Sequence, residues 1–200
     1  MVVYWPHNRV YNRTSVGCLV PIIVFVLVTV GAIVAFAKEP IRTVEGTVTK
    51  VSDGDTIHVT DSLGTKVKVR FYGIDCPETE KSNKRTGHVS KPGQPYGEEA
   101  FDALRGKIFR KHVRLEVTDI DKYKRSVAIV WLGSRNINQE MISEGWAWAY
   151  RDYLDSPYAS EFIRLEEQAR SQGLGLWQQA NPEPPWEFSH KLKGKGRKRR

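Results

Sequence analysis

Arg70-Phe71-Tyr72-Gly73-Ile74-Asp75-Cys76-Pro77-Glu78 is the stretch on which the fold turns. Just before and into it, Val67, Val69 and Phe71 alternate with Lys66, Lys68, Arg70 and Tyr72. A period of two is that of a half-buried strand, with Arg70 on its polar face. Gly73 breaks the strand, and Pro77 holds Cys76 extended, so that Asp75 and Glu78 leave the strand end in a set direction. An arginine and two acids at the mouth of a sheet suit a metal and a phosphate; a surface strand with a capped turn is the plainer alternative.

Upstream, Thr43 to Val51 alternates through Val44, Gly46 and Val48, and Thr56 to Thr60 places Ile57 and Val59 on one face. Between them Ser52-Asp53-Gly54-Asp55 is a turn, with Gly54 expected at positive φ. These segments and Thr65–Tyr72 make a three-stranded meander. Downstream, residues 79–95 are polar and loop-like, and a helix is expected from Tyr96 to Lys111. Phe101, Leu104 and Ile108 are its buried stripe, Glu98 and Glu99 lie in its first turn, and Arg110, Lys111 and His112 in its last. Val113–Thr118 and Ser126–Leu132 are further strands, joined by the polar turn Asp119 to Arg125. Helices follow over Asn136–Glu144 and Pro157–Gln172. Five short strands interrupted by one helix predict an α+β, mainly β domain: a five-stranded Greek-key barrel of the OB type with about three helices.

The domain is expected at 41–178, with appendages on both sides. A short cytoplasmic segment, 1–15, precedes 16–37, a run of 22 residues without a charge. That length crosses a bilayer as a helix. The run is expected as one N-terminal transmembrane or signal helix, an uncleaved anchor by preference; Ala35-Phe36-Ala37 offers a small-x-small site for cleavage after Ala37. Residues 179–190 are Pro-rich and expected as a stiff linker, and 191–200 as a disordered basic tail. Lys191, Lys193, Lys195, Arg197, Lys198, Arg199 and Arg200, with Arg9 and Arg13, exceed the whole net charge of +8, so residues 38–190 carry −1. The basicity therefore belongs to the ends and not to the domain. Two cysteines, Cys18 and Cys76, exclude a disulfide-stapled scaffold and a Cys-rich metal site. The histidines form no ligand-spaced cluster.

Three places carry chemistry: Asp53-Gly54-Asp55-Thr56, Arg70 with Asp75 and Glu78, and Arg125 behind Asp121-Lys122-Tyr123-Lys124. Asp55 and Asp75 are hard oxygen donors for Ca²⁺ or Mg²⁺. Glu78 is placed to orient or deprotonate a water, and Arg70 and Arg125 to grip a phosphate from two sides. In order and spacing the three places resemble the staphylococcal nuclease (thermonuclease) family, whose pattern is Asp-Gly-Asp-Thr, then Arg-x-x-x-[Ile/Val]-Asp-x-Pro-Glu, then Asp-Lys-Tyr-x-Arg. The resemblance covers about 43–178. It implies an OB barrel and one Ca²⁺ ion held by Asp55, Asp75 and the backbone carbonyl of Cys76. It further implies Glu78 as general base, Arg70 and Arg125 as catalytic arginines, and Lys122 and Tyr123 on a nucleotide phosphate. Tyr150 and Tyr153 correspond to the family's pair of tyrosines beside the base, at a different spacing. Cys76 stands where the best-known member has threonine. Lys124 replaces the usual glycine, at a position that needs positive φ if the family geometry holds.

The expected activity is Ca²⁺-dependent hydrolysis of DNA and RNA phosphodiester bonds, single strands favoured, by a monomer. The domain is expected outside the cytoplasm, membrane-anchored or secreted, with a basic tail that meets nucleic acid or anionic lipid. The alternative is a catalytically weak nucleic-acid-binding OB module tethered at the cell envelope.

Overall fold

A computed structural model describes residues 40–83 and 85–197. Its centre is a closed barrel. Strand β1 (Arg42–Asp53) pairs antiparallel with β2 (Thr56–Thr60), and β2 with β3 (Lys66–Phe71). A short strand β4 (Ile74–Asp75) follows, then a small hairpin of β5 (Lys81–Ser82) with β6 (Val89–Lys91). Helix α1 (Gly97–Ile108) leads to β7 (His112–Ile120) and β8 (Ser126–Leu132), β7 pairing with both β1 and β8. A parallel pairing of β3 with β8 closes the ring of five strands. Strand β9 (Arg135–Asn136) turns back to pair antiparallel with the end of β8, helix α2 (Ile137–Ser143) follows, and β10 (Trp148–Ala149) pairs with β4. Helices α3 (Tyr158–Ser171) and α4 (Pro185–Arg197) end the described chain.

The strands form where period-two patterning puts branched residues inward. Val48, Ile57, Val59, Val69, Val113, Leu115, Val117 and Ile129 are fully or almost fully buried, packed with Leu104 and Ile108 of α1 and Phe162 of α3. Burial of such side chains contributes about 1.5–3 kcal/mol each. In β1 a bulge between Val48 and Lys50 turns Val51 inward as well, so the inward spacing there is three rather than two. Asn138 of α2 is the buried polar pin. Its Oδ1 accepts the Val130 N–H at 2.9 Å, and its Nδ2 donates to the carbonyls of Tyr72 and Ala128 at 3.0 and 3.3 Å.

Four expectations are corrected. Helix α1 stops at Ile108: the Arg110 N–H donates to the Val48 carbonyl at 3.0 Å, and Arg110 takes φ 62 to reach it. Sheet hydrogen bonding thus pulls the chain out of the helix, and the basic residues of the last turn are Arg105 and Lys107. Gly54 is not at positive φ. A Cβ there would lie 2.8 Å from the Cys76 Cβ and 3.1 Å from the Ala100 Cβ, so glycine is required for close approach. Residues 79–95 are not all loop, since β5 and β6 pair within them. The expected linker and basic tail contain α4, a fourth helix, from Pro185. Proline suits a helix start, where its missing N–H has no intrahelical role, and Trp186 behind it packs on Trp148 and Tyr150.

Among the described residues no helix is long and apolar enough to cross a membrane. The apolar run 16–37, read as an anchor or signal, lies outside the described residues.

Candidate active site

The β1–β2 turn delivers two aspartates in different directions. Asp53 clamps the chain beyond Pro77: its Oδ1 accepts from the Thr79 N–H at 3.1 Å and the Thr79 hydroxyl at 2.8 Å, and Lys81 Nζ lies 2.9 Å from Oδ2. Asp55 points inward and is 2% exposed. Its Oδ2 accepts the Cys76 N–H at 2.9 Å, and its Oδ1 accepts the Thr56 hydroxyl at 3.0 Å. Arg70, at the end of β3, forms ion pairs with both Asp55 and Asp75 and donates to the Ile74 carbonyl at 3.3 Å.

Burial pushes the carboxyls of Asp55 and Asp75 upward, further than the Arg70 charge draws them down. Burial works against the Arg70 charge too, but the two carboxylates raise its pKa, and the guanidinium stays protonated. Asp53 and Glu78 have lysine partners of their own. Among the described residues Arg70 alone pairs with Asp55 and Asp75, so with both carboxyls ionised one negative charge is left uncompensated in a desolvated place, which is why burial raises them. That is a setting for a hard cation held by oxygen. Burial pushes the Cys76 thiol up, so this sulfur is neutral and only the residue's backbone is suited to such an ion. Among the described residues no three His, Cys, Asp or Glu side chains converge, so two carboxylates and backbone oxygen are the donors on offer.

Glu78 stands across the site, held at both ends. Its backbone is clasped by Gln94, whose N–H donates to the Glu78 carbonyl at 2.8 Å and whose Oε1 accepts the Glu78 N–H at 3.1 Å. Its carboxylate Oε1 meets Lys91 Nζ at 2.5 Å and the Ser189 hydroxyl at 3.1 Å. Behind it, Gly97 lets α1 approach: a Cβ there would lie 2.3 Å from the Glu78 carbonyl oxygen. Gly97→Ala is expected to cost about 1–3 kcal/mol through this overpacking, read as a lower midpoint in urea unfolding.

Arg125 is set by the turn before it. The Asp121 carboxylate accepts the backbone N–H groups of Tyr123 and Arg125, both at 2.9 Å, and Arg125 Nε at 2.6 Å. Partial burial of Asp121 works upward on its pKa, but these hydrogen bonds and the Arg125 charge lower it. Lys124 does sit at φ 60. The left-handed conformation costs a non-glycine residue about 1–2 kcal/mol. After the greater unfolded-state freedom of glycine is allowed for, Lys124→Gly is expected to stabilise the fold by about 0.5–1 kcal/mol, measured by urea unfolding.

The residues named from the sequence converge. Because β3 and β8 pair in parallel, with Arg70 opposite Val127, Arg70 and Arg125 open onto one end of the barrel. Because β10 pairs with β4, with Trp148 opposite Asp75, Tyr150 arrives beside the aspartates. One cleft, of about 510 Å³, is lined by Arg70, Lys122, Tyr123, Arg125, Tyr150 and Tyr153. A second, of about 680 Å³, holds Asp75 and Glu78 and shares Arg70, Tyr123, Arg125 and Tyr150 with the first. The Tyr150 and Tyr153 rings lie 4.7 Å apart between centroids, and Tyr123 is 63% exposed. Such an arrangement can bind a phosphate between two guanidinium groups, with aromatic faces on one side and carboxylates on the other.

The sequence reading gave no role to Asp121, Lys91, Gln94, Ser189 or Trp186. Asp121 lies within a quoted motif and had a signal, the aspartate that caps its own turn. The others reach the site only through tertiary contacts.

The family model described as "Staphylococcal nuclease homologue" matches residues 68–179. An uncharacterized endonuclease of Haemophilus influenzae is 33% identical over 147 residues, covering 72% of this chain and 74% of its own. A micrococcal nuclease of Shigella flexneri is 34% identical, covering 72% of this chain and 79% of its own. Protein ParB of Escherichia coli is 35% identical, covering 78% and 85%.

Proposed function

The chain belongs to the staphylococcal nuclease family and is a nuclease, and from that premise we propose that it hydrolyses DNA and RNA with Ca²⁺ as cofactor. The observation that carries this is the shared junction of the two clefts, where Arg70 and Arg125 face one space with Glu78 on its edge. Asp55, Asp75 and the backbone carbonyl of Cys76 would hold the ion. When bound, it supplies an electrophile for the phosphoryl oxygen and favours ionisation of a water.

The protein's own residues do the rest. Arg70 and Arg125 donate to the non-bridging phosphoryl oxygens, where negative charge accumulates as water adds to phosphorus. Glu78 accepts the proton of that water as the new P–O bond forms. The bond from phosphorus to the 5′-oxygen breaks, the 5′-oxygen takes a proton from solvent, and a 3′-phosphate remains. Lys122 and Tyr123 contact a nucleotide phosphate. Tyr150 and Tyr153 flank a base, which favours single strands because unpaired bases offer their faces for stacking. All these groups come from one chain, so a monomer suffices.

The domain acts outside the cytoplasm, anchored by the 16–37 segment or released by cleavage after Ala37. The uncharged length of that segment supports this, as does the weak donor set, which suits extracellular calcium levels. The basic end adds contact with nucleic acid or anionic lipid, less Lys191, which is paired with Glu183 at 2.7 Å.

The test is incubation of the purified protein with single-stranded DNA. Cleavage is expected in millimolar Ca²⁺ and loss of cleavage in excess chelator, with recovery when Ca²⁺ returns. Undiminished cleavage in chelator refutes the metal requirement.

A further inference from the structure

Helix α4 packs over the proposed site. Trp186 lies parallel to Tyr150, with an interplanar angle of 6° and centroids 4.8 Å apart, and meets Trp148 edge-on at 5.7 Å. Gln94, which clasps the Glu78 backbone, also donates from Nε2 to the Glu183 carbonyl at 3.2 Å, tying the approach to α4 to the same residue. One turn into the helix, Ser189 reaches the Glu78 carboxylate. Both Ser189 and Lys91 bind the same oxygen, Oε1. Oε2 has no hydrogen-bond partner among the described residues.

We propose that α4 is part of the active site and that Ser189 is a positioning residue, fixing Glu78 in the rotamer that presents Oε2 to the attacking water. The proposal rests on the general-base role of Glu78 given above. A glutamate side chain has three rotatable bonds, and leaving it free would spread Oε2 over many positions. Two donors on one oxygen hold the carboxylate without consuming the lone pairs the reaction needs. Lys91 alone is a single flexible contact, whereas Ser189 is a short side chain on a helix docked through Trp186. Ser189 thus acts on the reaction through orientation of Glu78 and does not itself touch the phosphate.

The experiment measures kcat and KM on single-stranded DNA for Ser189→Ala, Ser189→Thr, Glu78→Gln and the Ser189→Ala/Glu78→Gln double variant of the full chain, with thermal unfolding of each. Ser189→Ala is expected to lower kcat about 10-fold, the scale for one hydrogen bond to a charged group. KM should stay within about twofold and the unfolding midpoint should fall by no more than a few degrees. Ser189→Thr, which keeps the hydroxyl, should recover most of the rate. In the Glu78→Gln background, Ser189→Ala should cost nothing further, because its only route to the chemistry is already lost. An unchanged kcat in Ser189→Ala overturns the proposal, as does a loss that appears equally in the Glu78→Gln background. A raised kcat also overturns it, since the contact would then restrain the base. If Glu78→Gln keeps the normal kcat, the general-base role itself falls and this inference with it. If Glu78→Gln is inactive and Ser189→Ala is not slowed, only the inference falls.

Discussion

Arg70→Ala is expected to lose roughly 10³-fold or more in kcat, by analogy with arginines that stabilise phosphoryl transfer. It is also expected to be the most destabilising of the site variants. Among the described residues Arg70 is the one cation paired with Asp55 and Asp75, both largely buried. Removing one partner of a buried ion pair costs about 3–5 kcal/mol, because the remaining charge is left uncompensated. The two losses separate with Arg70→Lys. A lysine keeps the charge between the aspartates but lacks the planar fork. Its stability should therefore lie nearer the parent protein in urea unfolding while kcat stays low. Equal stability of Arg70→Ala and the parent protein would contradict the charge balance described here. A normal rate in Arg70→Lys would contradict bidentate contact with the phosphate.

Arg125→Ala is expected to fall by a similar factor of roughly 10³, with little change in stability. Its partner Asp121 lies in a surface turn and not in the core. Asp121→Asn tests how the arginine is set. The amide keeps an oxygen for the turn's N–H groups but gives up the charge that pairs with Arg125 Nε. A smaller loss, about 10-fold, is expected in kcat, as for a charge-assisted hydrogen bond that orients a catalytic group. If Arg125→Ala stays within a few-fold of the parent rate, Lys124 has taken over the phosphate contact. The double variant Lys124→Ala/Arg125→Ala would then show the missing loss.

The chemistry-bearing residues were legible as three short motifs because each is local. The Asp53–Asp55 turn, the strand end at Arg70 and the Asp121 turn are each built from residues within a few positions of one another. The positive φ at Lys124 was legible only through the family resemblance, in which glycine is usual at that position. Gly54 was misread because its constraint is not local: it meets Cys76 and Ala100 rather than its own turn. The last turn of α1 was overextended because a bond from Arg110 to Val48 ends it, and no helix-stop residue marks that bond in the sequence.

The sequence by itself determined the strands of the barrel, the helices α1 to α3 within a few residues, and the motif set that marks a nuclease. Hydrophobic period and turn chemistry act over a few residues, and those distances are readable along the chain. Only the tertiary structure decided that β3 and β8 close in parallel, bringing Arg70 and Arg125 to one end. It also decided that β4 and β10 pair, bringing Tyr150 to Asp75, and that the Pro-rich end folds back as α4 to set Ser189 on Glu78. These contacts join residues far apart in sequence. Their free energy depends on which surfaces remain to be buried once the local elements have formed, and a stretch of sequence does not carry that information.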